Sequence, residues 1–188
     1  MVILVMYLPI DVETGAVRTI CRTGVIKSSG LGSCVAVTAY DPLRRIGGIA
    51  HIMLPGLCTD NKHSHPLRYC ENALDELFRK LANRGSPPNG LVVCLAGGAN
   101  VLRRKNCTIG KENIKNIFSY LSDRDIPVQT VSLGGYLWRS VQLDVETGEI
   151  FCREAGDFSR LLWPPDRNKI RSFRSFKPKN ELASVAGA

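Results

Sequence analysis

Among the seven cysteines, at positions 21, 34, 58, 70, 94, 107 and 152, no two stand in a Cys-x-x-Cys pair, and the odd count cannot close completely into bridges. That spacing argues against a zinc ribbon, a dithiol redox centre and a disulfide framework. Long apolar runs are also lacking. The stretch over residues 2–10 contains Pro9, has no basic flank and is too short to cross a bilayer. No segment repeats, which argues against a solenoid or an array. Aromatic residues make up only 7 % of the chain, with two tryptophans and three methionines. What remains is the profile of a cytoplasmic protein whose thiols stay reduced.

At 188 residues and 44 % apolar content the chain suits one ordinary globular domain with a core of its own. The formal net charge of +8 is uneven, since residues 157–188 hold seven Lys or Arg against three Asp or Glu. A basic excess favours an acidic partner, although most charge runs are simply solvated. Arg171, Phe173, Arg174, Phe176 and Lys177 interleave cations with aromatics, but no nucleic-acid motif accompanies them, so neither nucleic-acid binding nor membrane insertion is expected.

Strand-like runs occur at residues 25–27, 34–40, 48–54, 91–96, 127–133, 137–145 and 149–153, most of them punctuated by glycine or proline. Helical spacing marks Cys70, Ala73, Leu74, Leu77, Phe78 and Leu81, and again Ile114, Ile117, Phe118 and Leu121, with the second helix starting after Gly110. Asp144 to Glu149 carries a hairpin signal with Gly148 at a left-handed position. These elements predict a single-domain α+β fold, mainly antiparallel, with a sandwich-like sheet flanked by helices. The domain is expected to occupy residues 1–156. Residues 157–188 are expected to form a partly loose basic extension whose Leu161, Leu162 and Trp163 dock on the body of the domain.

The chemistry concentrates in residues 28–55. Gly30 and Gly32 allow a sharp turn just before Cys34, leaving main-chain N–H groups around Ser33 to face a bound oxygen, as in an oxyanion hole. If residues 42–45 form a compact loop, Cys34 opposes Met53 and shares a face with His51, a diagonal neighbour roughly 7–8 Å away at the backbone. Ser28 can then bond the second imidazole nitrogen and fix its tautomer. A cysteine, a histidine and an orienting hydroxyl make a nucleophile triad. Spacing alone leaves a plainer alternative open, a small buried thiol beside a hydrogen-bonded core histidine.

Gly-Leu-Gly-Ser-Cys-Val-Ala-Val at 30–37 and Gly-Gly-Ile-Ala-His-Ile-Met-Leu-Pro at 47–55 resemble the chemoreceptor glutamine deamidase family, CheD. The likeness continues through Arg68, Tyr69, Ala73, residues 96–99, Ile109-Gly110-Lys111-Glu112-Asn113, Gly134-Gly135 and Arg139-Ser140-Val141. It implies a papain-like triad on a fold akin to cysteine deamidase toxins, with catalytic Cys34 and His51 and Ser28 where the family usually has threonine. It implies hydrolysis of receptor glutamine side chains to glutamate and ammonia in chemotaxis adaptation, through a Cys34 thiolate favoured by a His51 imidazolium, with no cofactor and no metal. Methyl-accepting chemotaxis receptors would be the substrate, and a CheC-type phosphatase a second partner. A weakly catalytic regulatory module is the alternative. Ser132 and Tyr136 depart from the acid and the asparagine expected there. Cys58, His63, His65 and Cys70 are all zinc-ligand types, but their spacing is uncommon and Cys70 fits the apolar helix stripe.

Overall fold

The computed structural model describes residues 8–59 and 65–163. Ten strands and two helices follow one another as β1 (Ile10–Asp11), β2 (Val17–Cys21), β3 (Val25–Leu31), β4 (Val35–Asp41), β5 (Ile46–Ile52), α1 (Cys70–Ala82), β6 (Val92–Gly97), α2 (Ile109–Ser122), β7 (Val128–Leu133), β8 (Arg139–Asp144), β9 (Ile150–Glu154) and β10 (Arg160–Trp163). They form two five-stranded sheets, ordered β1-β3-β8-β9-β10 and β2-β5-β4-β6-β7. Pairing is antiparallel except for β1 with β3 and β6 with β7. The α+β expectation with a mainly antiparallel, sandwich-like arrangement is met.

The layering follows from the residue pattern. Strands β4 and β5 are buried along their whole length, which is why both read as nearly continuous apolar runs rather than alternating ones. Val35, Val37 and Ala39 pack with Leu74, Leu77 and Leu81 of α1 and Ile117 of α2. Ala36 and Tyr40, on the opposite face, pack with Ile26, Val141 and Leu143 of the other sheet. Two apolar layers therefore lie on either side of one central sheet.

Close approach is secured at β5. A Cβ on Gly47 would come within 2.6 Å of Leu143 Cδ2, and one on Gly48 within 2.7 Å of Leu77 Cδ1. One glycine admits the second sheet and the next admits α1. The β8–β9 hairpin forms as expected, with Gly148 at φ +81° and the Asp144 carboxylate accepting from the N–H groups of Glu146 and Thr147.

The structure also differs from the sequence reading in places. The strand expected at 25–27 continues to Leu31, because Ser28 is buried by a tertiary partner rather than by its own polarity. Strand β2 is an edge of mixed exposure with little alternation, and the apolar count passed it over. Helix α2 begins at Ile109, one residue ahead of the glycine taken as a boundary; a Cβ on Gly110 would meet Gly98 O at 2.6 Å. In the basic extension the expected docking of Leu161, Leu162 and Trp163 takes the form of a strand, since Arg160–Trp163 pairs with β9 at the sheet edge and Leu162 is buried. The remainder of that segment, including the Arg171 to Lys177 patch, lies outside the described residues.

Gly48→Ala should lower the unfolding free energy by about 1–3 kcal/mol, the usual cost of overpacking. Urea denaturation checks this, and an unchanged midpoint would mean that α1 shifts freely.

Candidate active site

Strand β3 ends at Leu31 in one sheet and β4 begins at Val35 in the other, so Gly32, Ser33 and Cys34 make the crossing. Gly30 has φ +70°, a backbone position that only glycine takes without strain, and the β3–β8 register slips between Ser28 and Leu31. The nucleophile candidate thus stands at a corner of the sandwich.

The β4–β5 ladder pairs Val35 with Ile52 and Ala36 with His51, which is the register that puts Cys34 and His51 on one face as diagonal neighbours. Cys34 packs against the inter-sheet cluster and is half-buried, whereas His51 is 2 % exposed. Ser28 reaches the same place from the opposite sheet. Its Oγ lies 2.8 Å from His51 Nδ1 and donates to Val12 O at 3.1 Å. Nδ1 is also 3.3 Å from Val12 O.

These contacts suit one tautomer. A carbonyl only accepts, so the approach of Nδ1 to Val12 O is a hydrogen bond only with the ring hydrogen on Nδ1, and Ser28 Oγ, donating to Val12, is then placed to accept from the same nitrogen. Nε2 is left with its lone pair, and the Thr14 hydroxyl stands 3.4 Å from it. The sequence reading missed both Val12 and Thr14. Val12 acts through a main-chain carbonyl that no residue type announces, and Thr14 sits in a short turn before Gly15 that carries no motif.

The proposed oxyanion loop is sorted by its backbone bonds. Gly32 N–H donates to Gly30 O at 2.9 Å and is thereby occupied. Gly32 O accepts from Ala99 N at 2.7 Å, and Cys34 O accepts from Gly98 N at 2.8 Å. Neither Ser33 N–H nor Cys34 N–H donates in any of these loop bonds among the described residues, so these two are the candidate oxyanion donors. Gly97 (φ +122°) is held to glycine twice over, since a Cβ there would lie 2.2 Å from Cys34 O.

Burial acts on both members of the pair. It pushes the Cys34 thiol above its ordinary value of 9.0, against a smaller opposing effect of its own backbone N–H. It pulls the His51 imidazole below its ordinary 6.5, against a smaller opposing effect of the Val12 carbonyl. Both directions favour a neutral thiol and a neutral imidazole. Desolvation disfavours both charged forms.

The two departures from the resemblance have visible partners. Ser132 Oγ accepts from Arg139 Nε at 2.8 Å and from Arg160 at 2.7 Å. Ser132 Oγ also donates to Glu154 at 3.2 Å, and Glu154 faces Arg139 across the β8–β9 ladder with a 3.1 Å ion pair. Tyr136 lies under the Arg103 guanidinium, 5.1 Å from the ring centre. Of the four zinc-ligand types, His63 lies outside the described residues and Cys70 is fully buried on the core face of α1, its thiol pushed up to about 12 by burial. Among the described residues no group of three or more His, Cys, Asp or Glu could hold a metal ion, and no helix is long and apolar enough to cross a membrane.

Fold and site together define a two-sheet α+β protein with a corner cysteine beside a histidine anchored by a hydroxyl. A family model described as CheD chemotactic sensory transduction matches residues 53–154. The chain is 41 % identical over 150 residues to a probable chemoreceptor glutamine deamidase CheD of Chlorobium luteolum, covering 80 % of this chain and 75 % of that protein. It is 36 % identical over 138 residues to a chemoreceptor glutamine deamidase CheD of Thermotoga maritima, covering 73 % and 87 %. A similar match, 35 % over 128 residues covering 68 % and 85 %, is to a probable chemoreceptor glutamine deamidase CheD of Methanosarcina barkeri. The chain belongs to the CheD family.

Because burial raises the Cys34 thiol, its alkylation by iodoacetamide should climb with pH through the region above 9.0 without levelling off near neutrality. A plateau near pH 7 that disappears in His51→Ala would instead show an ion pair.

Proposed function

We propose that this protein hydrolyses the side-chain amide of glutamine residues on methyl-accepting chemotaxis receptors, giving glutamate and ammonia, in the cytoplasm. The observation that carries this reading is the 2.8 Å contact of Ser28 with His51 Nδ1, which frees Nε2 as a base on the face that Cys34 shares. Family membership supports the substrate, because the relatives' names specify chemoreceptor glutamine.

In this mechanism Nε2 takes the thiol proton as sulfur attacks the amide carbon, so no resting thiolate is required. The carbonyl oxygen gains negative charge and is met by the N–H groups of Ser33 and Cys34. His51 returns the proton to the departing ammonia. Water, deprotonated by the same nitrogen, then splits the thioester, releasing glutamate and restoring the thiol. Ser28 keeps the ring oriented throughout and shares the charge it gains. No step uses a cofactor or a metal.

The surroundings favour a protein-borne amide over free glutamine. Met53 follows Ile52, the ladder partner of Val35, Val101 lies beside Gly32, and the loop holding Val101 is tied to the 134–138 loop by Asn100 N–H to Gly135 O. Leu102, Tyr136 and Trp138 are 71 %, 57 % and 44 % exposed on those loops. Apolar surface of this kind around a thiol suits the flank of a helical partner. A CheC-type phosphatase seated on the same rim would compete with receptor.

Mass spectrometry of a receptor fragment incubated with the protein should show glutamine converted to glutamate. Cys34→Ala should abolish conversion, and conversion that survives it would refute this reading. Ser28→Ala should slow turnover by about ten- to a hundredfold, the worth of one hydrogen bond to a buried group that becomes charged, whereas Ser28→Thr should retain it.

A further inference from the structure

Three successive carbonyls cross from one sheet to the other at residues 32–34, and each is held by a donor. Ala99 N–H holds Gly32 O and Gly98 N–H holds Cys34 O, both main chain to main chain. The middle one is different. Ser33 O accepts from the side chain of Asn113, whose Nδ2 is 3.0 Å away and which also donates to Met53 O at 3.0 Å.

Asn113 is fully buried in the first turns of α2. Its amide orientation is dictated by chemistry, since turning it over would set Oδ1 against two carbonyl oxygens. Oδ1 itself has no hydrogen-bond partner among the described residues. An apolar side chain would fill this place with no buried acceptor to satisfy, so the two donors are the part of Asn113 that the site uses.

No described peptide bond is cis. In a trans peptide the C=O of one residue and the N–H of the next point in opposite directions. Pinning Ser33 O toward α2 therefore turns Cys34 N–H away from α2. Cys34 packs on that same side, against the inter-sheet cluster, whereas α2 packs on the opposite face of the central sheet, so the N–H faces the side where a substrate carbonyl would sit. The companion bond to Met53 O holds the far end of β5 at the same time, two residues past His51.

We propose that Asn113 is a positioning residue that aims the Cys34 N–H at the developing oxyanion, and that it does so without setting the reactivity of the thiol. The proposal rests on the deamidase reading above. It separates two properties that most active-site mutations disturb together. Attack on an amide creates an oxyanion that needs the aimed N–H, whereas alkylation of sulfur by iodoacetamide creates none.

The experiment compares the full-length wild type with Asn113→Ala and Asn113→Asp. Deamidation of a receptor fragment, alkylation of Cys34 at the same pH, and thermal unfolding are measured for each. Both variants should lose about a hundredfold in kcat, the lower end of what a lost oxyanion donor costs. KM should change little, and alkylation should stay within about twofold of wild type. The Asp variant keeps the shape but sets an acidic group against both carbonyls, so the comparison of kcat with alkylation is read on the Ala variant. If Asn113→Ala does not fold, the same rates are read on Asn113→Ser, whose hydroxyl can reach at most one of the two carbonyls. Undiminished kcat in a folded variant would overturn the proposal, and so would parallel loss of kcat and alkylation, which would make Asn113 a support of the nucleophile. A wild type without turnover, or turnover that survives Cys34→Ala, would instead defeat the deamidase reading.

Discussion

The crossing between the sheets at Gly32–Cys34 is the constraint on which the site depends. Packed sheets lie roughly 10 Å apart, and a chain that spans that gap in three residues leaves its carbonyls unpaired by any ladder. Here they are taken up by Gly98, Ala99 and Asn113, two successive backbone amides and one helix side chain. Gly97 and Gly98 at positive φ bend the chain after β6 so that those amides face the crossing, and Gly110 lets α2 come up against Gly98. Strand end, helix start and corner are thus one packed unit, and the thiol inherits its position from it.

The second dependence is electrostatic. His51 is buried, and a buried imidazole without partners would be free to rotate and to adopt either tautomer. Val12 O and Ser28 Oγ together remove that freedom using neutral groups only. A carboxylate in the same place would hold the ring more strongly, but would also draw it toward the charged form at rest. The neutral hydroxyl leaves the imidazole uncharged until it takes a proton, in keeping with the direction in which burial shifts both partners.

Much of this was legible in the sequence, for reasons that can be named. The β4–β5 register follows from a short loop at 42–45, and period-2 geometry then puts Cys34 and His51 on one face. Both long helices announced themselves through stripes that now face the central sheet. Ser28 was found because a hydroxyl at that distance from the cysteine belongs to a recognisable pattern. What stayed hidden was carried by groups that residue types do not reveal. The Val12 carbonyl is backbone, and the two donors of Asn113 depend on where α2 lands. The edge strands β2 and β10 have one neighbour each and little alternation to betray them. The protonation state of the thiol depends on burial, which composition does not report.

Ser28 sits on β3, whose long-range neighbour is β8, while Cys34 and His51 sit on the other sheet, whose central β4–β5 hairpin is local in the chain. During synthesis residues 35–52 can pair soon after they emerge, but β3 has only the two-residue β1 beside it until residues 139–144 have been made. A nascent chain therefore carries its thiol and imidazole for much of its length before the hydroxyl that orders them has a sheet to stand on. The order of the residues along the chain delays completion of the site until the fold is nearly whole.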